Sequence, residues 1–517
     1  MHRHRHQGRR AIALAAIPAA LLVSGWASWS ATTKQSTNHT ASPQIVHIAL
    51  AGDPSSLDPQ AVEDGNALAV YDNIAEALLF RAAGSTKVGP GLALSWRSVN
   101  RTTWQFKLRP GVTFSDGEPF NAKAVVFSIK RIINKKYSTE QTDWIGDING
   151  AVAVNNLTVN ITSSAPDPQV PARMGLIMMV PPVAASKASF ATHPIGTGPY
   201  TLASYTKGAR YDLKARSNYW GGKPAISEAV FQPISEQTLR LASLKTGEIN
   251  LVSDLLPEQM SQVPRAVHTP GLEFPTMILD TRGGAFQSKL VREAANYAVD
   301  KQVILSKLYS GFGSIAKCQI MGPATFGYNP SLTPFAYDPN KARSLLAQAG
   351  DAHPTVTLIG DSSNRWLKDV ELEQTVAGYL QAVGFQVTTK LADFTTYLSE
   401  LFPPKNDATV SRPDAVFVSH DNVLGDADVT FSTYYQSTGG GASTSSPQID
   451  HLVATARTVL ATKQRLAMYQ QVNQIGCQDA DFIFLFNLDN VYGTTTNLVW
   501  NPRYDATILV RTMSWKH

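Results

Sequence analysis

The chain has 517 residues, 43% of them hydrophobic and 16% charged, enough apolar side chains to pack two or more domains. Four of its 45 Lys and Arg lie before Ala31, where no acidic residue stands, so the remainder carries 41 basic against 40 acidic side chains. Such a near-neutral body lacks the basic excess of a nucleic-acid binder, and no apolar run after Ala31 approaches the roughly 20 residues needed to span a bilayer.

At the N-terminus, Arg3, Arg5, Arg9 and Arg10 precede the apolar run Ala11 to Val23, followed by the small residues Ser24, Gly25, Ala27 and Ser30. This is the charge, core and cleavage-site order of a secretory signal. Residues 1–30 are therefore expected to be removed on export, with cleavage between about Gly25 and Ala31. The Thr/Ser-rich stretch 31–44 reads as a polar linker. Leu22-Val23-Ser24-Gly25 is followed by Trp26 rather than by a cysteine, so no thiol stands ready to take a lipid.

Trp104, Phe106 and Leu108 alternate with Gln105, Lys107 and Arg109, which predicts a strand with one buried face. Asp116-Gly117 supplies a tight turn, and Asn121 is placed to cap a helix whose apolar face holds Ala124, Val125, Phe127 and Ile129, with Lys130 and Arg131 near its end. Val152, Val154, Leu157, Val159 and Ile161 predict two alternating strands around Asn155-Asn156. Val291, Ala294, Ala295 and Ala298 repeat at helical spacing and form one packed face. Asp338 is a natural N-cap, Pro339 fits the first helical position, and Gly350 fits just past the C-terminus. Val356, Leu358 and the segment 385–391 read as strands flanking a helix over about 372–383, the alternation of an α/β lobe. The Gly439-Gly440-Gly441 run, flanked by Ser and Thr, reads as a mobile surface loop.

The block WQFKLRPGVTFSDGEPFNAKAVVFSIKR (Trp104 to Arg131) resembles the extracellular solute-binding proteins of the peptide/nickel class, family 5, the capture subunits of ABC importers. AGDPSSLDPQ (Ala51 to Gln60), PIGTGPY (Pro194 to Tyr200), NYWGGKPAI (Asn218 to Ile226), VREAANYAVDKQVI (Val291 to Ile304) and YDPNKARSLLAQAG (Tyr337 to Gly350) match it too, in the family's order. The similarity covers roughly residues 45–510, and several ordered matches are more specific than any one short motif.

The resemblance implies a periplasmic-binding-protein-like α/β fold with two lobes joined by a hinge and the ligand cleft between them. Lobe 1 would span 45–262, with an extra subdomain inserted over about 62–190, and lobe 2 would span 263–485. Residues 486–517 would return to lobe 1. Two crossings of the chain between lobes would make the hinge. Cys318 and Cys477, the only cysteines, would both fall in the second lobe. In an exported protein the pair suggests a disulfide; the alternative is two separate thiols.

No GxSxG elbow, HExxH helix or GxxxxGK[ST] loop is present. An enzyme is therefore not expected, an exported hydrolase is the distant alternative, and no cofactor is implied. Binding residues follow from the resemblance instead. Trp144 matches a tryptophan lining the cleft of the nickel-binding branch, where it would stack on a flat or apolar group; otherwise it closes the subdomain core. Asn66 and Leu68 lie where the first long helix begins near the ligand, or are plain helix-start residues.

In VFVSHDNVLGDAD (Val416 to Asp428), peptide-binding relatives carry a strand ending in Trp and then an Asp that pairs with the peptide ammonium. Here Ser419 and His420 replace Gly-Trp and Val423 falls opposite the aspartate, with Asp421 two residues earlier. The carboxylate-binding arginine of the nickel-chelate branch is replaced by Leu176, Ile177, Met178 and Met179, a wall suited to an adaptable apolar site. Two ligands are compatible with this. One is a short peptide held by backbone hydrogen bonds along Val416 to His420. The other is a metal chelate or other small solute, with His420 a ligand and Asp421 its outer acceptor. The partners implied are the solute and an ABC permease with its ATPase subunits, and the protein is expected to be an exported monomer in the periplasm or at the outer face of the cell envelope.

Overall fold

The computed structural model describes residues 44–516 apart from 138, 364 and 404–412. The expected signal over 1–30, and the linker up to 43, lie outside the described residues. The first strand, Ile45–Leu50, runs parallel between Glu228–Pro233 and Leu251–Val252. Around it a sheet is built in the order Arg265–Pro270, Phe486–Thr494, Leu251–Val252, Ile45–Leu50, Glu228–Pro233, Arg210–Ala215, Tyr200–Thr206, with Gly313–Ile315 added against Phe486–Thr494. Its core includes Val46, Ile48, Phe231, Trp500 and Val510, so the last part of the chain packs beside the first strand.

A second sheet runs Gln386–Ala392, Thr355–Asp361, Ala415–Asp421, Glu273–Leu279, Phe482–Phe484. Consecutive side chains of its strands enter different cores. Met277, Leu358 and Phe417 pack on one side, whereas Ile278, Ile359, Val416 and Val418 pack on the other. Burial on both faces explains why EFPTMIL and AVFVS read as nearly unbroken apolar runs. The expected Val291, Ala294, Ala295 and Ala298 face forms in the helix Lys289–Ala298, with all four buried. Asp338 caps Pro339–Gln348 by accepting from the Lys341 N–H at 2.8 Å. Cys318 and Cys477 are bonded, tying the segment after Gly313–Ile315 to the helix Thr462–Asp479.

Between the first strand and Tyr200–Thr206 lies a separate four-stranded sheet, in the order Ala93–Asn100, Thr103–Leu108, Thr158–Ser163, Ile148–Asn155. Phe106, Val159 and Ile161 pack under the helix Ala122–Ile132, where Asn121 accepts from the backbone N–H groups of Lys123 and Ala124. Both strands expected around Asn155-Asn156 form, as Ile148–Asn155 and Thr158–Ser163, but the first does not bury its valines. Val152 and Val154 are 61% and 52% exposed, because the register slips on either side of Ala151 and leaves Ile148 and Ala151 as the inward positions.

Two stretches carry the chain between the cores of the two large sheets; Gly313–Ile315, although paired with Phe486–Thr494, stays with the second core, where Ile315 packs. Arg265–Pro270 belongs to the first sheet and Glu273–Leu279 to the second, so the first crossing is at Gly271 and Leu272, beyond the boundary expected at 263. The second lies within Phe486–Thr494, beyond the boundary expected at 485: Phe486 and Leu488 pack in the second sheet's core beside Met277, whereas Asp489 to Thr494 pair with Arg265–Pro270 of the first sheet. The Gly439 run also departs from expectation. A Cβ on Gly439 would lie 2.4 Å from the carbonyl oxygens of Ser432 and Thr433, and Gly441 donates to Thr433 O at 3.1 Å. These glycines permit close packing rather than a loose loop.

Candidate ligand-binding cleft

The two sheets face each other across a cleft made of connected spaces. A cavity of about 590 Å³ is lined from the first side by Glu63, Leu68, Trp144 and Asp505 and from the second by His420, Asp421 and Val423. A neighbouring space of about 700 Å³ shares Gly65, Ala69, Arg365 and Ala506 with it. Asn66 lines this larger space, and its Oδ1 accepts from the Gly52 N–H at 3.2 Å. A third chamber, of about 360 Å³, lies against the separate sheet and holds Met178.

Of the residues expected at the site, Leu68, Trp144, His420 and Asp421 meet at one cavity. Trp144 is only 4% exposed, so most of its indole packs into the core under the Ala122–Ile132 helix and the remainder faces the cleft. Met178 and Met179 part company. Met178 lines the third chamber, whereas Met179 is fully buried in that core and lines none of these three spaces, so the expected two-methionine wall has one methionine. The strand Ala415–Asp421 likewise reaches the cleft only at its end. Val416, Phe417, Val418 and Ser419 are buried, and His420 and Asp421 line the cavity.

The site's electrostatics come from that strand end. Glu273 and Asp421 are direct cross-strand partners, an arrangement that puts two carboxyl groups side by side. The walls of the cleft desolvate Asp421, although water reaches it, and the charges of Glu273, Asp505 and Glu63 add to this; its carboxyl is pushed up to about 7. Glu273 is also raised, by burial first, while the Ser419 hydroxyl donates to it at 2.6 Å and partly offsets that. Glu63 rises to about 7 through burial and the charges of Asp143 and Glu140. Burial would raise Asp505 as well, but its two bonds from Arg503, at 2.8 and 2.6 Å, hold it below the usual carboxylate range. Arg365, a cation on the same cavity, is stacked 4.2 Å from the Phe394 ring.

His420 stands edge-on to Tyr434, with ring centres 5.3 Å apart, and its Nε2 is buried without a hydrogen-bond partner. Burial pulls its pKa down to about 4, so the ring is neutral near pH 7. Among the described residues no group of three or more His, Cys, Asp or Glu is arranged to hold a metal ion. Sequence reading did not pick out Glu273, Glu63 or Asp505. Glu273 alone left a trace, as a charge opening an otherwise apolar strand.

A two-sheet α/β fold with a solvent-reached cleft between the sheets defines a two-lobed binding protein. A profile described as bacterial extracellular solute-binding proteins, family 5 middle, matches residues 87–442, and the chain belongs to this family. It is 26% identical over 455 residues to the glutathione-binding protein GsiB of Pectobacterium atrosepticum, covering 85% of this chain and 87% of that protein. Against the dipeptide-binding protein of Escherichia coli it is 29% identical over 338 residues, covering 58% of this chain and 62% of the relative. The solved structure of HbpA2 from Haemophilus parasuis superposes with a TM-score of 0.80 at 22% identity, covering 92% of this chain and all of that one, which shows the shared fold. Members of the family are solute-binding proteins, and among the described residues no helix is long and apolar enough to cross a membrane.

Proposed function

We propose that the protein captures a short peptide between its lobes and presents it to the membrane permease of an ABC importer, acting as an exported monomeric binding subunit without a catalytic step. The observation that carries this reading is the acid-lined cavity. Glu63, Asp421 and Asp505 meet there, and the cross-strand Glu273 crowds Asp421. Two like charges kept side by side cost stability, and a cargo that brings its own cation relieves them. A peptide ammonium does so, with Asp421 as its anchor. The end of Ala415–Asp421 supports the same reading. Its ladder to Thr355–Asp361 ends at Val416, so an extended peptide can lie beside the strand's last residues. The dipeptide-binding relative points the same way.

A desolvated, charge-assisted contact is typically worth roughly 1.5–3 kcal/mol, about ten- to a hundredfold in affinity. Asp421→Asn is therefore expected to weaken peptide binding by that factor in calorimetry. N-acetylation of the peptide should weaken binding to the unaltered protein equally, and the two changes together should cost little more than either alone. If acetylated and free peptides bind alike, the ammonium anchor is wrong.

A further inference from the structure

The third chamber is not a separate pocket. It shares Leu68, Trp144, Val423, Asp505 and Thr507 with the acid-lined cavity, so a ligand seated in the cleft can extend a group into it. Its walls include Leu79, Leu92, Leu176, Met178, Trp144 and Trp220. Trp220 is a fixed platform: its Nε1 donates to Glu76 at 2.8 Å, and the Arg109 guanidinium lies 4.2 Å from its ring centre.

The charged side chains at the chamber other than Asp72 are already committed. Arg81 donates to the backbone carbonyls of Val423 and Leu424. Arg511 donates to the Tyr219 hydroxyl at 2.8 Å and stands 3.5 Å from Glu76. Arg503 holds Asp505 with two bonds. Asp72, which also lines the chamber, is pushed up to about 8 by burial and the Asp505 charge, so it is mostly uncharged at neutral pH. An anionic group entering here would lose its water without meeting a free counter-charge, and a cation would meet only Asp72, whose proton it would first have to displace, whereas an apolar group would lose nothing.

We infer that this chamber receives one bulky, uncharged side chain of the cargo, an aromatic one above all, and so selects peptides that carry it. Size supports the aromatic choice, since an apolar cavity of about 150 Å³ already holds benzene. At about 360 Å³ the chamber has room for an indole, and an alanine methyl would leave it largely unfilled. Met178 lets the wall adapt to rings of different shape.

The inference rests on the peptide reading above, and one titration series separates the two. The full chain is titrated calorimetrically with trialanine and with tripeptides carrying a single Trp, Lys or Glu at each position in turn. At least one Trp peptide is expected to bind tenfold or more tightly than trialanine, and its Lys and Glu counterparts no better than trialanine. Leu176→Trp, which fills the chamber from one wall, should erase the Trp advantage, read as the ratio of Trp-peptide to trialanine affinity on the variant itself, and a ratio that stays at tenfold would overturn the chamber's role. Met178→Trp does the same from another wall and stands in if the first variant does not fold. Equal binding of trialanine and all Trp peptides overturns the chamber's role and leaves the peptide reading intact. Failure of every peptide to bind overturns both.

Discussion

Gly271 donates its backbone N–H to the carbonyl of Leu488 at 2.9 Å, which joins the two places where the chain passes between lobes. A Cβ at Gly271 would lie 2.8 Å from that same oxygen and 2.8 Å from the Asn490 Oδ1. The two crossings therefore sit too close for any larger residue and are joined at one point, the place we propose for the hinge. Rigid-body closure about such a hinge needs only a few residues to change backbone angles.

The first prediction follows from that contact. Gly271→Val should force the crossings apart, leave both lobe cores folded, and weaken ligand binding by tenfold or more. Small-angle scattering should show the unaltered protein contracting on saturation with peptide and the variant contracting less. Identical dimensions of the unaltered protein with and without ligand would count against closure altogether.

The second concerns the bond between Cys318 and Cys477, which are 159 positions apart in sequence. Linking such distant residues restricts the unfolded chain, and loss of a native disulfide typically costs roughly 2–4 kcal/mol. Cys318 also holds a left-handed backbone conformation, φ 52°, that few side chains adopt unaided. A Cys318→Ala, Cys477→Ala double variant should unfold at lower denaturant by about that free energy. Its ligand affinity should change little, because neither cysteine lines the cleft spaces.

The third rests on Asp72, at the C-terminal end of the helix Gly65–Tyr71. A negative charge is unfavourable at that end of a helix, and the Oδ1 of Asp72 is buried without a partner. Its folded pKa of about 8 lies above the ordinary 3.8, so the folded state holds the proton more tightly than the unfolded chain. The resulting stability is full below about pH 4 and is lost as pH rises to about 8. One proton allows at most roughly 1.4 kcal/mol per pH unit. Asp72→Asn should thus match the unaltered protein near pH 4 and melt at higher temperature at pH 8. Equal melting temperatures at pH 8 would show that the carboxylate is well solvated there.

Local elements were legible because each is fixed by neighbours in sequence: the Asn121 cap, the Asp338-Pro339 start, the alternation of Trp104, Phe106 and Leu108. Long-range facts were not. Met178 and Met179 are adjacent, yet one faces a chamber and the other the core, a choice made by packing that no local pattern records. Val152 and Val154 fit a period of two until a register slip turned them outward. The cleft itself joins Leu68, Trp144, Asp421 and Asp505, which lie far apart along the chain. Family resemblance could point at the first three of these; Asp505, Glu63 and Glu273 emerged only when the lobes were set face to face.

The fourth prediction is a pH profile for binding. With the Asp421 carboxyl near 7, an ammonium selects its ionised form, so affinity should rise as pH climbs through that value. A peptide α-amine loses its own proton above about pH 7.7–8.0. Peptide affinity should therefore peak between about pH 7 and 8 and fall by up to tenfold per pH unit on the acid side. Calorimetry from pH 5.5 to 9 checks this, and Asp421→Asn should flatten the acid limb. His420, neutral across this range, should contribute no inflection when changed to Gln.

The last prediction isolates the cross-strand pair. Burial is the leading cause of the raised Asp421 carboxyl, and the Glu273 charge is the next. Glu273→Gln keeps the side chain's shape and its neighbour Ser419 but removes that charge, so Asp421 should ionise at lower pH. The acid limb of the binding profile should then move to lower pH, by on the order of half a unit to one unit, with a gain of about three- to tenfold in affinity near pH 6. If Glu273 instead shares directly in holding the ammonium, removing its charge should weaken binding at every pH. The direction of the change near pH 6 thus separates a carboxyl that tunes Asp421 from one that holds the cargo itself.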